Sequence, residues 1–78
     1  MHTQRFDYAE LKRLREFLRW SLADLTARCQ QVKFEVSEST LANWEQGETA
    51  PDADKLVLLA QVFGVGVERF YKQEDGTP

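Results

Sequence analysis

Short amphipathic segments with helix start and stop signals at their ends restrict the fold of this sequence more than any other feature does. Ser21, Ser37 and Asp52 each precede a run of apolar residues at helical spacing, and their side-chain oxygens can accept a hydrogen bond from a first-turn N–H group. Gly47 and Gly64 follow two of these runs, in the position where a left-handed residue commonly ends a helix. The pattern predicts an all-α fold.

Five helices, joined by short connections, are predicted. They cover residues 8–19, 22–31, 38–46, 52–63 and 67–71. The connection 32–36 alternates apolar and polar residues, which is typical of a strand, but it is short and the sequence offers no pairing partner. We therefore interpret it as an extended connection with Val32, Phe34 and Val36 over the core. The polar tail 72–78 is predicted to fray.

A chain of 78 residues is long enough for one domain with a small core, so 1–78 is treated as a single domain. Its one cysteine, Cys29, cannot form an internal disulfide and is interpreted as a small buried apolar residue. No apolar run approaches the ~18 residues of a membrane span, and the first residues lack the apolar stretch of a signal peptide. We expect a cytoplasmic protein that does not bind membranes.

The sequence contains no pattern that predicts catalysis, a metal site or a cofactor. His2 is the one histidine, and together with a single cysteine it cannot complete a zinc site of the usual composition. The glycines of 64–66 lack the third glycine and the preceding strand of a phosphate loop. The hydroxyl groups of 37–40 have no histidine that the sequence places beside them. We therefore predict that the protein is not an enzyme.

Charge is distributed unevenly along the chain. The net charge is −3, which argues weakly against a nucleic-acid partner. Residues 1–34, however, carry seven basic and four acidic groups, whereas residues 35–78 carry three basic and nine acidic groups. Because screening limits exposed charges to a range of about 10 Å at 0.1 M salt, a local basic face can still bind phosphates.

The third predicted helix has an apolar inner edge and a polar outer face. Leu41 and Trp44 form the inner edge, and the outer face consists of Glu38, Ser39, Ala42, Asn43 and Gln46. Short polar side chains near the start of such a helix are suited to the DNA major groove, where asparagine can pair with adenine and glutamate with cytosine. A solvated face on an ordinary surface helix has the same pattern. The residues alone leave both interpretations open.

Four motifs together resemble the XRE family, the Cro/cI-type helix-turn-helix regulators of phages and bacteria. They are Leu-Lys-Arg-Leu-Arg at 11–15, Ser-Leu-Ala-Asp-Leu at 21–25, Val-Ser-Glu-Ser-Thr-Leu-Ala-Asn-Trp-Glu-Gln-Gly at 36–47, and Pro51 followed by the segment 56–65. The resemblance covers about residues 9–71. It implies a five-helix lambda-repressor-like domain with a helix-turn-helix at about 21–44.

The resemblance also implies roles for residues of the first three helices. Double-stranded DNA would be the partner, with the third helix in the major groove of an operator. The resemblance implies base contacts from Ser37, Glu38, Ser39 and Asn43 and phosphate contacts from Ser21 and Gln46, with Thr40 near enough to reach a phosphate. The basic residues Arg19, Arg28 and Lys33 are further candidates for phosphate contacts. Arg15 and Glu45 match a structural ion pair that joins the first helix to the third.

Three positions depart from the family pattern. Leu22 stands where the family commonly has a phosphate-binding glutamine. The connection before the third helix is about five residues longer than usual, which resembles a known variant of the family. Glu48 replaces the basic residues that often follow the glycine. All three departures weaken the expected phosphate binding, because fewer neutralised phosphates mean lower affinity and a flatter salt dependence.

Two functions are compatible with this pattern. The first is a DNA-binding transcriptional regulator, specifically a repressor that acts by occlusion. The second is a protein-interaction module, or an antitoxin-like partner, on the same fold. A regulator would bind as a homodimer, and its predicted seam consists of Val65, Val67, Phe70 and Tyr71. The alternative is that these four residues close the core of the monomer.

Overall fold

The computed structural model describes residues 3–74, with side chains for 5–71. Four α-helices form the body of the molecule. They are α1 (Tyr8–Phe17), α2 (Leu22–Gln31), α3 (Glu38–Gln46) and α4 (Ala53–Phe63). A short 3-10 helix (Val67–Phe70) follows α4, and the strands β1 (Thr3–Phe6) and β2 (Tyr71–Glu74) lie at the two ends of the described chain. The predicted helical fold is confirmed for these four α-helices.

Side-chain caps determine where all four α-helices begin, and the three predicted capping residues are confirmed. The Ser21 hydroxyl accepts the Asp24 N–H at 3.0 Å, and the Asp24 carboxylate accepts the Ser21 N–H at 2.9 Å. This reciprocal capping box lowers the pKa of Asp24, chiefly through the hydrogen bond from the Ser21 backbone. Ser37 and Asp52 accept equivalent bonds from first-turn N–H groups of α3 and α4.

All four helices end in the same backbone motif, in which the N–H groups of a left-handed residue and of the residue after it bond back to the last turn. Gly47 and Gly64 occupy this position after α3 and α4, with φ of 79° and 70°. Arg19 and Lys33 occupy it after α1 and α2, with φ of 60° and 58°. Because a side chain disfavours the left-handed conformation, the two basic residues stand in strained positions that glycine would occupy more easily.

The strain at Lys33 predicts a stabilising substitution. We expect Lys33→Gly to be about 1 kcal/mol more stable than Lys33→Ala, because both variants lose the same side chain and only glycine relaxes the backbone. Urea denaturation of the two variants measures the difference. Equal free energies of unfolding would contradict a left-handed conformation at residue 33.

Gly47 is required for a second reason, because the ring of Tyr8 packs directly over it. A Cβ atom at position 47 would lie 2.9 Å from two carbon atoms of that ring. The contact joins the start of α1 to the end of α3. The contact between Tyr8 and Gly47 therefore helps to fix the orientation of α3 relative to α1.

The core is built from one edge of each helix and is continued by the connection after α2. Its buried members are Leu11, Leu25, Cys29, Phe34, Leu41, Trp44, Leu56, Leu59, Ala60 and Phe70. Val32 and Val36 pack against it, as predicted. The expected extended connection begins instead with a turn at Val32 and Lys33, in which the Phe34 N–H donates to the Cys29 carbonyl. This turn directs the Phe34 ring into the core.

Burial has a measurable effect on Cys29, whose side chain is fully enclosed. Burial raises the pKa of its thiol from 9.0 to about 11. The folded protein therefore holds this proton more tightly than the unfolded chain, so the thiol's contribution to stability is present below pH 9 and is lost as the pH rises towards 11. We expect Ellman's reagent at pH 8 to modify the native protein only as fast as it unfolds, and the urea-unfolded chain at once. Rapid modification of the native protein would contradict this burial.

The predictions for the fifth helix and the tail were wrong in part. Only Val67–Phe70 is helical there, as a single 3-10 turn. Residues Tyr71–Glu74, which include the first part of the tail predicted to fray, form β2 and pair with β1 antiparallel, with Phe6 opposite Tyr71 and Thr3 opposite Glu74. The Asp7 N–H also donates to the Phe70 carbonyl at 2.7 Å. The rest of the tail and His2 lie outside the described residues.

Candidate nucleic-acid interface

The outer face of α3 presents short polar side chains to solvent. Ser37, Glu38, Ser39 and Asn43 are all exposed, and Asn43 follows Ser39 by one helical turn. Thr40 is half-buried, and its hydroxyl accepts a hydrogen bond from the Ser37 hydroxyl at 3.0 Å. The residues predicted to contact bases thus share the first two turns of one exposed helix, next to its capped N-terminus.

Two sets of contacts fix the orientation of α3. On one side, the ring of Trp44 stacks on that of Phe34, with their centroids 6.3 Å apart and an angle of 17° between their planes. On the other side, Arg15 binds the Glu45 carboxylate through Nε at 2.6 Å and through a second nitrogen at 3.0 Å. The sequence places these two residues 30 positions apart, and the resemblance alone paired them.

Arg15 also links the ion pair to the turn before α2. Its third nitrogen donates to the Trp20 carbonyl at 2.8 Å, so one guanidinium holds α1, α3 and this turn together. The hydrogen bond with Glu45 raises the pKa of Arg15 above its already high ordinary value. Both side chains are almost fully buried, so the pair has a structural role and is not available to a ligand.

Three exposed basic residues lie at the two ends of α2. Arg19 precedes this helix, Arg28 lies in its last turn and Lys33 follows it. None of the three forms an ion pair with any residue of 5–71. The guanidinium of Arg28 instead lies over the Trp20 ring, 4.2 Å from its centre, in a cation–π contact.

Lys33 lies at the start of α3. It lines an open groove of about 820 Å³ with Ser37, the capping residue of that helix, and with Gln30, Glu35 and Val36. The stretched connection therefore brings a cation beside the residues predicted to contact bases.

A known protein family matches the part of the chain that contains these residues. The helix-turn-helix family HTH_3 matches residues 11–70, which is most of the chain. The chain belongs to the XRE family of helix-turn-helix regulators. No curated protein matches the chain significantly.

Membership of the XRE family means that the chain is a DNA-binding regulator in a family that is not enzymatic. Within residues 3–74, no helix has the length and apolarity needed to cross a membrane. The matched region contains all four α-helices except for the first turn of α1, together with the 3-10 helix. Within residues 3–74, the fold differs from the predicted five α-helices in its last helix, in the added β1–β2 pair and in the end of α1, which lies at Phe17 and not at residue 19.

The departures from the XRE pattern lie on the surface next to α3. Leu22 is half-buried in a cleft that also contains Gln46, and its side chain offers no hydrogen-bond donor. Ser21 is exposed, but its hydroxyl and N–H already serve the capping box. Gln46 and Glu48 are both exposed at the end of α3.

The residues of the predicted dimer seam do not share one environment. Phe70 is 0% exposed and lies in the monomer core, against the rings of Phe6 and Phe63. Val65, Val67 and Tyr71 are half-buried and pack against the edge of the core. Phe70 is therefore not available to a partner, and the seam stays a prediction for the other three.

Sequence reasoning missed a second ion-pair network and an aromatic stack. Glu10 is buried and binds Arg13 at 2.7 Å and Arg69 at 3.1 Å, which ties α1 to the 3-10 helix. Trp20 stacks on Phe63 with their centroids 5.4 Å apart. Glu10 precedes Leu14 by one helical turn, so helical spacing alone places it beside the apolar edge of α1. The partners of Glu10 and Trp20 could not be predicted, because Arg69 and Phe63 lie far from them in the sequence.

Proposed function

We propose that the protein is a sequence-specific repressor that inserts α3 into the major groove of an operator. The observation that carries this proposal is the separation of the basic residues into two groups. Arg15, Lys55 and Arg69 are ion-paired, whereas Arg19 and Lys33 form no ion pair with any residue of 5–71 and lie at the two ends of α2. Lys33 also lies beside the capping residue of α3. Exposed cations near a helix in the major groove are suited to the flanking phosphates.

Base recognition is assigned to the exposed side chains of α3. Asn43 can donate to and accept from the edge of an adenine, and Ser39, one turn earlier, can bond to any base. Glu38 repels phosphates unless it accepts from a cytosine amino group, which restricts where the helix can bind. Each good pair would contribute roughly 1–3 kcal/mol of discrimination.

A homodimer is the assembly that this function favours. Few phosphate contacts are available to one domain, so a single copy would bind weakly, and two half-sites about 34 Å apart would combine the affinities of two copies. Val65, Val67 and Tyr71 form the proposed seam, next to the buried Phe70. The proposed repression is occlusion of the operator.

Selection from random 20-bp duplexes tests this function. We expect a pseudo-palindromic motif to be enriched at about 50 mM salt. Asn43→Ala should relax the preference at one base position, whereas Lys33→Ala should weaken binding to every sequence and reduce the salt slope by about 1. Failure to enrich any motif at low salt would overturn the proposal.

A protein-interaction module is the second candidate, and one observation favours it. The Phe17 side chain on α1 is 80% exposed and lines a shallow groove of about 610 Å³, together with Tyr8 and Ala9 and with the charged residues Lys12, Arg13, Glu16 and Glu45. A stable co-purifying protein that is lost in Phe17→Ser, together with an absence of salt-dependent DNA binding, would favour this function over the first.

A further inference from the structure

A cleft lies where α1, α2 and α3 meet, beside the outer face of α3. Its volume is about 240 Å³. The side chains that line it are Lys12, Arg15, Leu22, Ala42, Glu45 and Gln46. It therefore contains Leu22, the residue that stands where the XRE family commonly has a phosphate-binding glutamine.

Only two of the polar side chains in this cleft are available to a ligand. Arg15 and Glu45 bind each other, and Arg15 also bonds to the Trp20 carbonyl. Lys12 and Gln46 remain, both exposed and neither engaged by another side chain of residues 5–71. They supply an ammonium group and an amide, which are both hydrogen-bond donors.

Lys12 differs from the basic residue that follows it. Arg13 binds Glu10 at 2.7 Å and so belongs to the network that joins α1 to the 3-10 helix. Lys12 instead lines this cleft and the neighbouring groove beside Phe17, and it forms no ion pair with Glu16, which lies one helical turn away and is also exposed. An unpaired ammonium beside a free amide donor is a suitable site for one phosphate group.

We propose that Lys12, together with Gln46, binds the DNA backbone phosphate that Leu22 cannot bind. This inference rests on the proposed function. Lys12 then lies beside the last turn of α3, while Lys33 lies beside its capping residue Ser37, so the two lysines lie at opposite ends of the helix.

A salt titration tests the contact without knowledge of the operator. The probe is a random-sequence 24-bp duplex, titrated by fluorescence anisotropy between about 50 and 200 mM salt. We expect Lys12→Ala to reduce the slope of log K against log[salt] by about 0.9, which corresponds to roughly an eightfold loss of affinity at 0.1 M salt. Lys55→Ala is the matched control, because Lys55 pairs with Asp52 on α4 and should leave the slope unchanged.

The variant Leu22→Gln tests whether Lys12 and position 22 serve the same phosphate. We expect Leu22→Gln to raise affinity severalfold in the Lys12→Ala background and much less in the unaltered protein. Equal gains in both backgrounds would show that two different phosphates are bound. The exposed position of Lys12 predicts that its replacement leaves thermal unfolding unchanged, which circular dichroism can verify.

The outcomes separate this inference from the function on which it rests. An unaltered protein that shows no salt-dependent binding would overturn both. Salt-dependent binding with identical slopes for Lys12→Ala and Lys55→Ala would overturn only the assignment of Lys12.

Discussion

Replacing Arg15 with alanine is expected to lower the free energy of unfolding by about 3–5 kcal/mol, because it leaves the buried Glu45 carboxylate without its partner. The same change removes the hydrogen bond to the Trp20 carbonyl. In a domain of 78 residues, whose total stability is modest, this loss should unfold a large fraction of the molecules. Urea denaturation followed by circular dichroism measures it.

Two further variants keep the Arg15 prediction falsifiable if the alanine variant does not fold. Arg15→Lys retains the charge but not the two-nitrogen contact with Glu45, so we expect an intermediate loss. Arg13→Ala removes an exposed guanidinium whose partner, Glu10, retains Arg69, and the expected change is below about 1 kcal/mol. Equal losses for Arg15→Ala and Arg13→Ala would contradict the structural role of the buried pair.

Replacing Phe70 with alanine is the second change with a large expected effect. Its ring is fully buried and contacts those of Phe6 and Phe63, so truncation removes apolar burial and leaves a cavity. We expect a loss of about 3–5 kcal/mol. Val57→Ala, on the exposed side of α4, is the control and should change stability far less.

The concentration dependence of unfolding distinguishes the core from a dimer seam. If Phe70 stabilises the monomer, Phe70→Ala lowers the midpoint by the same amount at every protein concentration. If it acted between two copies, the decrease would depend on concentration, because dimer stability does. Thermal scans at about 5 and 500 μM separate the two outcomes.

The helical part of the fold could be predicted because its signals are local. Ser21, Ser37 and Asp52 begin their helices, and Gly47 and Gly64 end theirs, through bonds to residues within one turn. The turn after α2 was not predicted, because its left-handed residue is Lys33 and not glycine. This turn places Phe34 in the core, a tertiary contact that single-residue preferences do not reveal.

The parts that could not be predicted depend on distant partners. β1 and β2 are each four residues long, and neither is stable without the other, which lies at the opposite end of the chain. In the candidate site, too, some features follow from the local sequence and others depend on distant partners. The polar face of α3 follows from helical spacing, whereas the position of Lys12 beside Leu22 and Gln46 exists only after α1 packs against α2 and α3.

The β1–β2 pair has a topological consequence. Its register places Thr3 opposite Glu74, so the two ends of the described chain run side by side and the backbone nearly forms a closed ring. A short linker could join these ends, and new termini could be opened elsewhere without changing the neighbours of any helix. Circular permutation is best tolerated in exposed loops, and the loop before α4, which contains the exposed Glu48, Thr49 and Ala50, is such a place. The order in which the helices are synthesised is therefore separable from the structure they form.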